Sequence, residues 1–159
     1  MVSASASRAD NVRTYAAGFA YAASLFAVYL VSGPLRAVRL DPTLGAVAGA
    51  TVEAGMFMPV ILFGGIMIPA VFRLTGTPRS LARLGVVALA AFLIADLIVA
   101  VTLCGLSATE HLARFLGPAG WIQGGSLVLF SAFPWLWWHR DGAQPYAPLP
   151  ARGFSSSGP

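Results

Sequence analysis

The chain carries four long, almost uncharged apolar runs, separated by short connections that hold half of its charged residues. The first run, from Thr14 to Ser32, has no charged residue at all. A helix rises about 1.5 Å per residue, so about 20 residues cross the hydrocarbon of a bilayer. Inside lipid the backbone must satisfy its own hydrogen bonds, and a helix does this within one segment. The runs therefore predict membrane-crossing helices at residues 14–32, 45–72, 84–106 and 119–138. The expected class is all-α: an integral membrane four-helix bundle with both termini on the cytoplasmic side.

Composition points to the same solvent. The residues are 57% hydrophobic and 10% charged, with a mean hydropathy of +0.75. A soluble domain is about a quarter charged. All ten basic residues are arginines, spaced singly along the chain. That spacing suits topology-setting loop charges and not a nucleic-acid surface, so the expected partner is the lipid bilayer. Arg8, Arg13, Arg73, Arg79, Arg83, Arg140 and Arg152 fall on one side of the expected topology. Arg36, Arg39 and Arg114 fall on the other. Positive charge is retained in the cytoplasm, which orients the chain in a bacterial inner membrane. Trp121 at one end of the fourth run, and Trp135, Trp137 and Trp138 at the other, suit the two interfaces.

The first run exceeds the roughly 7–15 apolar residues of a signal-peptide core, so it is expected to be retained as a span. Residues 1–13 form a polar segment expected to fray. Residues 139–159 are rich in Pro, Gly and Ser and are expected to form a disordered cytoplasmic tail. No soluble domain is expected at either end. Pro34 and Pro42 are expected to break the helix between the first two spans, with Asp41-Pro42 opening a turn. Pro59 or Pro69 is expected to bend the second span. Gly18-x-x-x-Ala22 and Gly45-x-x-x-Gly49 suit close helix packing, and such faces leave room for a homo-oligomer or a larger membrane complex.

A carboxylate in a span is costly, on the order of 2.5–3.5 kcal/mol at its centre, so Glu53 and Asp96 need a reason. Counted in residues, both lie roughly 12–15 Å from the outer end of their spans. They could meet as a proton relay or cation site. Alternatively, Glu53 could pair with Arg36 or Arg39, and Asp96 could bond a hydroxyl such as Thr102 or Ser126. Gln123 is the one amide within a span, suited to an interhelical hydrogen bond or a pocket. Glu110, His111 and Arg114 form a second candidate site on the outer connection, read as a solvated loop. One histidine and one acid fall short of a zinc site. The other histidine, His139, is at the opposite face, and no histidine lies within a span for an internal haem. The single cysteine, Cys104, excludes an internal disulfide and is expected to be a small buried apolar residue. No nucleotide loop, serine triad or metalloprotease motif is present, so no catalytic residue and no cofactor is assigned.

Gly33-x-x-Arg36, Pro42-x-x-Gly45, Glu53, Arg83-Leu84, Asp96 and Gly105-Leu-Ser107-x-x-Glu110 together resemble a family of small four-span bacterial membrane proteins. The resemblance covers about residues 30–135. It implies the four-span architecture and draws attention to Arg36, Glu53, Asp96 and Glu110. It supplies no activity. The leading expectation is a non-enzymatic accessory or small-ligand-binding subunit with buried carboxylates. The alternatives are a proton- or cation-coupled transporter using Glu53 and Asp96, and an enzyme acting on a lipid-like substrate at the outer face.

Overall fold

The computed structural model describes residues 2–74 and 77–141, and every described element is helical. Three helical rods are long and apolar enough to cross a membrane: Arg8–Leu44, Ala46–Val71 and Pro78–Thr102. A fourth long helix packs beside them. Their outward side chains are apolar, among them Val31, Phe63, Val71, Val86 and Val128. That is the surface expected where lipid replaces water.

The first rod corrects the expected break at the prolines. Helix α1 (Val2–Leu35) runs through Pro34 into a π-helical turn, Arg36–Leu40, and then α2 (Asp41–Leu44). It also begins earlier than the expected frayed segment allows, at Val2. Proline removes one backbone donor and crowds the preceding turn, and a wider turn accommodates the mismatch. Here the Asp41 N–H reaches back five residues to the Arg36 carbonyl. Pro42 sits in the first turn of α2, where its missing N–H leaves nothing unpaired. The break is made instead by Gly45, whose φ of +86° is a conformation that glycine alone adopts without strain.

The second rod is α3 (Ala46–Pro59), a π turn over Val60–Gly64, and α4 (Gly65–Val71). The widened turn follows directly after Pro59. Tyr21, fully buried on α1, donates its hydroxyl to the Ile61 carbonyl inside that turn at 3.0 Å. A buried hydroxyl needs such a partner. The Tyr21 ring lies 4.1 Å from Phe130, and together with Phe57, Leu84 and Phe92 these rings form the apolar core.

Helix α5 (Pro78–Thr102) opens on Thr77, whose side chain accepts the Ser80 N–H. Arg79 and Arg83 therefore lie on α5 and not in a loop. A short helix, α6 (Ala108–Ala113), and a 3-10 turn, Arg114–Leu116, lead into α7 (Pro118–Asp141). Helix α7 thus extends to residue 141, through the start of the expected tail. The rest of that tail, from residue 142, lies outside the described residues, as do the side chains of Trp138 and His139.

Packing is cyclic. Helix α1 packs on α5, α5 on α7, α7 on α3, and α3 on α1. The closest approach is at Gly85 of α5, where a Cβ would collide with the Ser131 carbonyl of α7. Gly18 fits against Val87 and the Leu84 carbonyl, so the first small-residue pattern does mediate close packing of α1 on α5. The cycle puts α3 and α5, with their two carboxylates, on one diagonal.

Candidate functional site

The end of the molecule beyond Ser32 gathers almost all its buried polar groups. Glu53, on the second turn of α3, is 2% exposed. Arg36 donates from Nη1 to Glu53 Oε2 at 2.9 Å, and from Nε to Asp41 Oδ1 at 3.1 Å. Ser32 donates to Glu53 Oε1 at 3.3 Å. Because the helix continues past Pro34, Arg36 is held rigidly over the neighbouring rod, where it bridges two acids. Arg39, three residues on, is exposed and takes no part, so of the two expected partners only Arg36 is used.

Asp96 on α5 is 1% exposed. It accepts from Arg114 Nη2 at 2.6 Å and from His111 Nε2 at 3.0 Å. The expected hydroxyl partners are engaged elsewhere: Thr102 donates to the Ile98 carbonyl and Ser126 to that of Ile122. Each hydroxyl bonds its own helix, four residues back. Arg114 Nη2 also donates to the Tyr29 hydroxyl at 3.3 Å. Burial works against the Arg114 charge, but Tyr29 and Asp96 outweigh it and hold its pKa above the ordinary arginine value.

The connection that supplies these groups is not the solvated loop expected. Ser107 caps α6 and accepts the Glu110 N–H, while the Glu110 carboxylate accepts the Ser107 N–H at 2.8 Å and its hydroxyl at 2.7 Å. Those two bonds hold the Glu110 carboxyl below its usual pKa range. The capping box fixes the direction of α6. His111 and Arg114, three residues apart, then share one face and point inward. His111 is 2% exposed, and the Arg114 guanidinium lies 5.1 Å from the Phe115 ring centroid. Glu110 points away, so the expected Glu110–His111–Arg114 cluster is split between a helix cap and a buried ion pair.

Between the two arginine–carboxylate clusters lies a cavity of about 410 Å³. Tyr29, Arg36, Asp41, Glu53, Arg114 and Gln123 line it, with Leu30, Pro34, Val99 and Ala119 as apolar wall. Gln123, on α7, is 6% exposed and finds no hydrogen-bond partner among the described residues. It makes no interhelical bond; it lines the cavity. Cys104 also lines this space and is exposed, not buried as expected, because α5 ends at Thr102 and leaves it on the rim.

Glu53 and Asp96 therefore do not pair with each other. Each sits with its own arginine, on opposite sides of the cavity. Sequence reasoning missed Asp41, Ser32 and Tyr29. Asp41 follows Arg36 by five residues, which is the spacing of a π turn and invisible without it. Tyr29 is the single tyrosine in the last two turns before Gly33, a legible but weak signal. No group of three or more His, Cys, Asp or Glu among the described residues is arranged to hold a metal ion. Comparison with protein families, with curated proteins and with solved structures finds no match.

Proposed function

We propose that this chain is a four-span bundle of the bacterial inner membrane, with cytoplasmic termini, that acts as a non-enzymatic small-ligand-binding subunit. The observation that carries the reading is Gln123, a 6% exposed residue without a hydrogen-bond partner among the described residues, which lines a cavity of about 410 Å³. Small-molecule sites are typically about 300–1,000 Å³, mostly apolar, with a few convergent polar groups.

The pairing of both carboxylates weighs against a coupled transporter. A proton or cation site needs a carboxylate free to change partner, whereas Glu53 and Asp96 each already hold an arginine. An enzyme built on Glu110 and His111 is disfavoured because these residues face apart, one to Ser107 and one to Asp96.

The test is purification of the full chain in lipid nanodiscs, followed by extraction and mass spectrometry of what accompanies it. The reading expects a small organic molecule that is retained by wild type and lost in Gln123→Leu. Equal recovery from both proteins would count against it.

A further inference from the structure

We propose that the cavity takes a small amphiphile bearing a single positive charge, an organic ammonium with an apolar body. This inference rests on the binding reading above and specifies its ligand. Two arginines and three carboxylates make up the site. Glu53 and Asp41 share Arg36, while Asp96 takes Arg114. Within the Arg36 cluster two carboxylates therefore face one guanidinium.

The excess belongs to the Arg36 cluster, and Asp41 is its accessible member. Its Oδ1 meets Arg36 Nε, its side chain is 32% exposed, and it lines the cavity. An uncompensated charge beside low-dielectric walls attracts a counter-charge more strongly than it would in water. An anionic ligand would deepen the imbalance, and a monocation cancels it.

Gln123 can serve the same ligand. The residue is 6% exposed and unpartnered among the described residues, and its carbonyl oxygen is free to accept an ammonium N–H. Tyr29 adds an aromatic wall, which favours a cation over an anion. Leu30, Val99 and Ala119 supply the apolar surface for the ligand's body.

Cys104 provides the assay. It is the only cysteine in the chain and lines the same cavity, so its rate of reaction with N-ethylmaleimide reports occupancy. The full chain is placed in phosphatidylcholine nanodiscs, whose zwitterionic surface does not concentrate either charge. Three probes of similar shape are compared: 2-phenylethylammonium, 2-phenylethanol and 3-phenylpropanoate.

The ammonium is expected to slow modification at concentrations about ten-fold lower than the alcohol requires, equivalent to about 1.4 kcal/mol. The propanoate is expected to have no effect. Asp41→Asn should abolish the ammonium's advantage while leaving the alcohol's effect in place. Protection by the propanoate equal to or greater than that by the ammonium overturns the cation assignment and leaves the binding reading standing. Protection by none of the three overturns both.

Discussion

Arg36 and Glu53 are joined across the first two rods by a bond of 2.9 Å, and the carboxylate end of that bond is almost fully buried. The pair exists because α1 does not stop at Pro34. A helix that ended there would release Arg36 to the interface and leave Glu53 alone in an apolar environment.

Glu53→Gln should therefore lower stability in detergent by about 2–3 kcal/mol, read as a drop in thermal midpoint. Breaking a buried pair typically costs about 3–5 kcal/mol. The loss is smaller here because Arg36 keeps Asp41. Adding Arg36→Gln should cost less than the same change does alone, since no buried carboxylate is then left without its guanidinium. A double variant whose loss equals the sum of the two single losses would show that the pair is not the source of the effect.

Tyr21→Phe should cost about 1 kcal/mol, the net worth of a hydrogen bond between a buried hydroxyl and a carbonyl. The ring contact with Phe130 survives that change. A loss above about 3 kcal/mol would mean that the π turn after Pro59 depends on this bond for its shape.

The capping box gives the connection between α5 and α7 a pH dependence with a definite sign. Ser107 holds the folded-state pKa of Glu110 below its ordinary value. The contribution is complete above the unfolded pKa, near 4.3. It is lost as pH falls through the lowered folded value. Wild type should thus lose more stability than Ser107→Ala between about pH 5 and pH 3. Parallel pH profiles for the two proteins would contradict this.

Orientation has its own test. At the cavity end, Arg36 and Arg114 are paired with acids and Arg39 stands exposed. Arg8, Arg13, Arg73, Arg79 and Arg83 lie toward the other end, where Arg83 donates to Asn11. Positive charge favours the cytoplasm. A membrane-impermeant maleimide should label Cys104 in spheroplasts without permeabilisation. Labelling only after lysis would invert the topology.

The long apolar runs made the rods legible, because length and the absence of charge are one-dimensional properties. Helix ends were harder to read. Prolines at 34 and 42 suggested a break, yet membrane helices tolerate proline when a widened turn and neighbouring side chains satisfy the backbone. The break fell on Gly45, which looked like half of a packing motif. Glu53 and Arg36 could be matched because both stand out against an apolar background. The partners of Asp96 could not, since they come from a connection whose inward direction depends on the Ser107–Glu110 cap. Cys104 was misplaced because apolar character is a poor guide to burial where lipid is the solvent.

The most direct test of the binding site is native mass spectrometry of the full chain released from nanodiscs, comparing wild type with Ala119→Phe. Ala119 lies on the cavity wall, so the larger ring takes up part of that space. Wild type should carry a discrete added mass that Ala119→Phe lacks, at an unchanged thermal midpoint. An identical spectrum for the two proteins, with the added mass present in both or absent from both, would contradict a ligand site in this cavity.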